Sequence, residues 1–395
     1  MTRLLRLFLF AVLSATAVVA QRDIGRVDVL VDKNTLPVRV SANTPELNTL
    51  ALLAFNSHGR YKLVASGFTF DIKFSAMSAN QVRVDISRAP SGTAVSSDIA
   101  SGSTARNALL RAADIAVAKT NGMGLGGFFA AKLAFVAEAT GKKEVYVSDL
   151  FLGEMKRLTS DRAPVLMPRW APDGTRLLYT SYFKSGFPDV YQHDLNTYQR
   201  TEFARFRGTN MGARFSPNGR QVAMVLTGEG QPEIYVSDAQ GRQVARKTRS
   251  DAVKSSPCWS PDGSQLVFAM EPGPQLYVMS AAGGAPRKLP VGFTYSAEPD
   301  WSRAKPNKIA CTVRVPGGKY QIAVYDSSIG KTEVVSKAAF DGIEPSWLAD
   351  GRHLVYTARS RSTSVVCILD TETGKSTPIT PASFIGAQQA SVWNP

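Results

Sequence analysis

RWAPDGTRLLYTS (169–181), RFSPNGRQVAMVL (214–226), CWSPDGSQLVFAM (258–270), DWSRAKPNKIACTV (300–313) and SWLADGRHLVYTA (346–358) are copies of one pattern. Its aromatic landmarks are Trp170, Phe215, Trp259, Trp301 and Trp347, and the chain closes on another, Trp393. They stand 45, 44, 42, 46 and 46 residues apart, a fixed period that marks a repeat architecture. Each unit also carries a second block, about 20 residues after its landmark where one precedes it: EVYVSD (144–149), DVYQHD (189–194), EIYVSD (233–238), QLYVMS (275–280), QIAVYD (321–326) and VVCILD (365–370). Asp173-Gly174, Asn218-Gly219, Asp262-Gly263 and Asp350-Gly351 supply the positive φ of a tight hairpin turn. The stretch after each turn, such as Leu177 to Thr180, is apolar on both faces, as a strand between two packed sheets must be. A Tyr-Val-x-Asp strand follows, then a Gly turn and a short outer strand. Four strands per unit describe a propeller blade of the WD40-like kind.

The apolar middle strand recurs six times, at 132–138, 176–182, 221–227, 265–270, 308–314 and 353–358. The first copy has no Trp block ahead of it, and the last block, Ser391 to Pro395, has no strands after it. The two incomplete ends complement each other. The expectation is a six-bladed beta-propeller over 128–395, closed when the C-terminal strand completes the first blade. A closed ring leaves no sheet edge exposed. Trp170, Phe215, Trp259, Trp301, Trp347 and Trp393 then read as packing between blades, and the turn aspartates as backbone partners. Cys258, Cys311 and Cys367 lie one blade apart and read as buried, unpaired thiols.

Residues 1–20 read as a cleaved secretory signal peptide: Arg3 and Arg6 form the basic head, Leu7 to Leu13 the apolar run, and Val18-Val19-Ala20 the small residues before the cut. No other apolar run nears the ~20 residues a membrane span needs. Residues 21–127 lack the repeat and read as a small α/β domain. Val27, Val29 and Val31 alternate like a strand. Thr44-Pro45-Glu46 starts a helix whose apolar face is Leu47, Leu50, Ala51 and Ala54, with Gly59 to end it. Strands are expected at 61–65, 68–75 and 81–87. Ser103 is placed as the cap of a second helix carrying Leu109, Leu110, Ala113 and Val117. GMGLGG (122–127) lacks the Lys-Ser/Thr of a phosphate loop and reads as a hinge. Net charge is +14, or +12 once Arg3 and Arg6 leave with the signal. No block of like charges appears, so a solvated basic surface is favoured over a nucleic-acid arm.

Signal peptide, small α/β domain and a propeller of W-S-P-D-G repeats, in that order, resemble the TolB family of periplasmic proteins of the Tol–Pal system. GGFFAAKLAFVAEATGKKEVYVSDLFLGEMKRLT (126–159) resembles the family's domain junction and first blade, and LLAFNSHGRYKLV (52–64) its helix-then-strand passage. The resemblance implies a non-enzymatic, monomeric scaffold without cofactor or metal. It also implies a Pal-like OmpA-type lipoprotein at the propeller mouth, and a mature N-terminus that meets a TolA-like protein. The residues so implied are Arg205, Arg207, Ser255, Ser256, Tyr295, Glu298 and Glu344 at the mouth, on loops entering the inner strands. At the N-terminal contact segment they are Arg22, Asp23, Ile24 and Val27. The small domain is shorter than the family's and diverges around 66–100. Arg205 and Arg207, and the Lys-Ser-Ser-Pro before Trp259, also depart from its usual pattern.

Two rival functions remain. A hydrolase domain would need a Gly-x-Ser-x-Gly elbow, which the chain lacks. A propeller that binds or cleaves a carbohydrate or peptidoglycan ligand in its central channel would use His, Asp or a metal there. His58, His193 and His353 are not grouped in the sequence, and ordinary surface or packing roles are expected of them.

Overall fold

The computed structural model describes residues 35–120, 126–381 and 384–395. The signal segment and the expected contacts Arg22, Asp23, Ile24 and Val27, like the Val27–Val31 strand, lie outside the described residues.

Six four-stranded antiparallel sheets form the ring. Blade two runs from Val165 to Ala204, blade three from Asn210 to Arg246, and blade four from Lys254 to Lys288. Blade five covers Ser296–Val334 and blade six Asp341–Pro378. Blade one joins the two ends of the propeller: Lys132–Ala137, Glu144–Asp149 and Lys156–Arg157 are completed by Gln388–Trp393 as the innermost strand. The expected closure is therefore present, with Ser391 opposite Ala134, Val392 opposite Leu133 and Trp393 opposite Lys132.

The turn chemistry follows the sequence. Gly174, Gly219, Gly263 and Gly351 have φ of 69°, 70°, 75° and 62°. Each preceding carboxylate or amide accepts a backbone N–H two residues on, as Asp173 does from Thr175 at 2.9 Å and Asp262 from Ser264 at 3.0 Å. Trp170, Phe215, Trp259 and Trp347 are buried, while Trp301 and Trp393 are half-buried. Several indoles stitch neighbouring blades together. Trp259 Nε1 donates to Arg214 O at 2.9 Å, Trp347 Nε1 to Asp300 O at 3.0 Å, and Trp393 Nε1 to Pro172 O at 3.0 Å. The three cysteines are free and buried.

Before the ring lies a five-stranded sheet of Leu36–Ala42, Tyr61–Leu63, Phe70–Ser78, Gln81–Arg88 and Thr93–Ser101, with helices Pro45–Ser57 and Ala105–Thr120. Thr44 caps the first helix through Leu47 N as expected. That helix ends at Ser57 with His58 as its cap, so Gly59 does not terminate it through a left-handed turn. The second helix is capped by Thr104, whose Oγ1 accepts Asn107 N–H at 3.1 Å, and not by Ser103. The strand Leu36–Ala42 escaped the reading because Pro37 and Arg39 break a short run. Thr93–Ser101 escaped it because an edge strand exposed along most of its length shows no apolar alternation.

One apolar core runs from this unit into blades one and six. Asp114 of the second helix accepts the N–H groups of Phe128, Phe129 and Ala130 at 3.0, 2.9 and 2.9 Å. Residues 122–125 of the expected hinge lie outside the described residues, and the stretch just after it, 128–130, is pinned to this helix. Arg106 reaches Asp149 of blade one at 2.6 Å, and Lys375 of blade six donates to Asn56 O. These contacts all lie at the end of the ring that carries the Asp-Gly turns.

Deleting Ser391 to Pro395 removes Trp393 and its stacking on Trp170 at 5.9 Å. Loss of a packed aromatic costs about 3–5 kcal/mol, so the melting temperature should fall by about 5 °C or more. An unchanged thermal melt would contradict closure by this strand.

Candidate functional site

In each blade the innermost strand carries one residue with left-handed backbone: Met167, Gly212, Ser256, Glu298, Glu344 and Gln389, with φ between 53° and 64°. Each coincides with a register shift against the second strand, the mark of a β-bulge. Only Gly212 adopts this conformation without steric cost. The sequence signal was present. Met167-Pro168-Arg169-Trp170, Ser256-Pro257-Cys258-Trp259, Glu298-Pro299-Asp300-Trp301 and Glu344-Pro345-Ser346-Trp347 place a Pro just after the bulge, where no ladder N–H is lost.

The six bulges line the central channel. They also link blade to blade. Glu344 N–H donates to Glu298 Oε2 at 2.9 Å, Gln389 N–H to Glu344 Oε2 at 3.0 Å, and Met167 N–H to Gln389 Oε1 at 2.9 Å. Thr312 and Thr357 of the second strands donate to the same Glu298 and Glu344 carboxylates. Burial, with the Glu344 carboxylate as neighbour, pushes the Glu298 carboxyl up to about 7.

Two residues further along, Arg169, Arg214, Cys258, Asp300, Ser346 and Ser391 make a second ring in the channel. Arg214 holds Asp300 at 2.8 Å, and Asp300 also accepts Trp347 N–H at 2.7 Å. None of these ring members except Cys258 was singled out from sequence, because each blade fills the position differently.

The structure divides the expected mouth residues. Arg205 and Arg207 are exposed on the connection from blade two to blade three. Tyr295 precedes the inner strand of blade five and packs edge-on against Tyr320 at 4.9 Å. Ser255, Ser256, Glu298 and Glu344 are not on entering loops. They lie within inner strands, and Ser256, Glu298 and Glu344 are bulge residues of the channel wall.

His58 and His353, 295 residues apart in the chain, meet where the α/β unit sits on blade six. Their ring centroids are 4.4 Å apart. The two are far apart in the sequence, which gave no sign of this meeting, and the packing role expected of them is the one they fill. His353 Nδ1 lies 2.6 Å from Asp350 Oδ2, and Gly59 N–H approaches His353 Nε2 at 3.4 Å. Burial, helped by His353, Arg352 and Arg60, holds His58 well below the usual imidazole range. His58, Asp350 and His353 place their ligand atoms within 4.8 Å of one another, the grouping among the described residues that could hold a metal ion. Phe128 packs at a tilt against both rings, with centroids 4.7 and 4.5 Å away, so the observed role is packing at the joint. His193 is buried in blade two, away from both.

The pH dependence of Glu298 has a definite sign. A carboxyl raised from 4.5 to about 7 on folding stabilises the fold in acid, and that stability is lost as pH rises through 7. Glu298→Gln keeps an acceptor for Thr312 and Glu344 N–H. Thermal melts should show the variant above wild type at pH 8 and the gap gone at pH 4. A pH-independent gap would refute the assignment.

The family model of the TolB beta propeller domain matches residues 123–395. Curated relatives include the Tol-Pal system protein TolB of Bordetella pertussis and of Bordetella parapertussis. Each is 33% identical over 164 residues, covering 41% of this chain and 37% of the relative. The matched segment thus spans little more than a third of these relatives' length. Among solved structures, TolB from Acinetobacter baumannii superposes with a TM-score of 0.80 at 23% identity, over 93% of this chain and 98% of that one. A chain of a nidogen/laminin complex shares the propeller fold at a TM-score of 0.55 and 15% identity, over 66% of this chain and 98% of that chain. With the match to the family model covering the whole ring, the chain belongs to the TolB family.

Proposed function

We propose that this chain is a non-enzymatic periplasmic scaffold of a Tol–Pal-like system. It binds a Pal-like OmpA-type lipoprotein at the propeller mouth and so supports outer-membrane integrity. It is exported by a cleaved signal peptide and acts as a monomer, with its mature N-terminal segment meeting a TolA-like protein. The domain limits that go with this reading are 21–127 and 128–395.

One observation carries the proposal. The α/β unit packs on blades one and six at the Asp-Gly end of the ring, and the opposite end carries the exposed phenylalanines. Phe183, Phe187, Phe206 and Phe340, the exposed phenylalanines among the described residues, all lie on connections at that end. Arg205 and Arg207 flank Phe206 there. Aromatic rings beside arginines are the composition of binding hot spots. Blade connections around one axis suit a protruding loop of a partner. Ser256, Glu298 and Glu344, set deeper in the channel wall, fit contact with the tip of such a loop. The Tol–Pal names of the Bordetella relatives agree in kind.

A pull-down of the exported protein from envelope extract should recover an OmpA-like lipoprotein. The double variant Arg205→Gln/Arg207→Gln should recover about thirtyfold less, with only a small drop in melt as Arg205 leaves Asp189 and Glu202, since removing two hot-spot contacts costs about 2 kcal/mol or more. Recovery of a glycan in place of a lipoprotein, or of equal lipoprotein by the variant, would sink the scaffold reading.

A further inference from the structure

We propose that the second channel ring is a binding site for an oxyanion, entered from the end that carries the Asp-Gly turns. The cavity there has a volume of about 210 Å³. Its wall is formed by Arg169, Arg214, Asp300, Ser346 and Ser391, with Arg303 at the exposed rim. Arg169 and Arg214 also border the bulge ring, but the test below uses small anions and no lipoprotein, so this proposal and the scaffold reading fail separately.

The charges of this ring do not balance. Asp300 is already engaged, by Arg214 at 2.8 Å and by Trp347 N–H at 2.7 Å. Among the described residues Arg169 forms no salt bridge. Its side-chain hydrogen bond is to the carbonyl of its neighbour Pro168, at 3.1 Å. Asp300 and Glu344 attract it from beyond contact distance, yet burial and the like charge of Arg214 still push its guanidinium down to about 10. A guanidinium has five N–H donors in a rigid fork, and most of those on Arg169 point at nothing the protein supplies.

A second observation points the same way. Ser391 is 4% exposed, and its Oγ has no hydrogen-bond partner. An unpaired buried hydroxyl costs about 1–3 kcal/mol. Arg169 and Ser391 are adjacent members of the ring, on blades two and one, which the Trp170 Nε1–Ser391 O bond of 3.2 Å holds together. An oxyanion would accept from the Arg169 fork and relieve its repulsion from Arg214, and a turn of the Ser391 side chain would bring its sealed, unpaired hydroxyl onto the same anion. Arginine forks match carboxylate, sulfate and phosphate oxygens through paired hydrogen bonds. A water takes about 30 Å³ of liquid, so the cavity admits a tetrahedral anion with several waters.

The test is calorimetric titration of the full chain in low-salt buffer with sulfate and, separately, with acetate, beside thermal melts with chloride at matched ionic strength. One oxyanion should bind saturably at one per chain, and the tighter of the two names the ligand as tetrahedral anion or carboxylate. Arg169→Gln should weaken it at least tenfold and Ser391→Ala about threefold. Without anion, Arg169→Gln should melt at or above wild type, since a repulsion has been removed. Should that variant fail to fold, Arg169→Lys keeps the charge, loses the fork and should bind several-fold more weakly. Binding unchanged in these variants, no saturable binding by wild type, or equal stabilisation by chloride would overturn the proposal.

Discussion

The junction at Gln389 is the constraint on which the ring depends. A propeller is stable only as a closed circle, because each sheet buries both faces against neighbours and an open array would leave two faces bare. Here the circle is shut by a strand drawn from the far end of the chain. The ladder to Lys132–Ala137 supplies part of the hold. Trp393, against Trp170 and Pro172, adds another part, and Gln389 ties the strand to both neighbours. Its N–H reaches Glu344 Oε2 and Thr357 Oγ1, both at 3.0 Å, and its own Oε1 takes Met167 N–H. One residue of the closing strand therefore binds blade six on one side and blade two on the other, across the seam where the covalent chain is interrupted.

The bulges that make this possible exact a cost. Five of the six left-handed positions are held by residues other than glycine, against a steric preference of roughly 1–2 kcal/mol each. Glu298 and Glu344 add the repulsion of two carboxylates in one partly desolvated channel. The returns are blade-to-blade hydrogen bonds where two strands approach the axis too obliquely for a ladder. The fold thus concentrates strain and charge along the axis and keeps its well-packed apolar clusters between blades. Concentrated strain of this kind belongs at binding sites.

How much of this could be read in advance follows from the range of each interaction. Asp-Gly turns, the apolar second strands and the Trp period are local signals, and the blade count and closure followed from them. The bulges were half-visible, since x-Pro-x-Trp recurs, but what a bulge residue bonds to depends on the next blade. The meeting of His58 with His353 and the pinning of residues 128–130 by Asp114 are contacts between separate units. No periodicity announces such a contact. The family resemblance, carried over by position, puts Glu298 and Glu344 on loops entering the inner strands, whereas a polar channel accepts such carboxylates inside the strand itself.

The two channel rings show where such a repeat can differ from blade to blade. At the landmark position every blade needs a large ring to fill the wedge between sheets, and the chain supplies Trp five times and Phe once. At the turn it needs a residue that tolerates positive φ. At the second-ring position it needs neither, because the side chain lines the axis and meets other blades only through polar contacts, as Asp300 does with Arg214 and Trp347 N–H. That position holds Arg, Arg, Cys, Asp, Ser and Ser. Packing cannot account for two adjacent arginines there when one of them lacks a carboxylate partner. A channel residue free of packing demands is free to answer to a ligand, and the asymmetry of this ring, set in a backbone of near sixfold regularity, is the chemical distinction between its six sides.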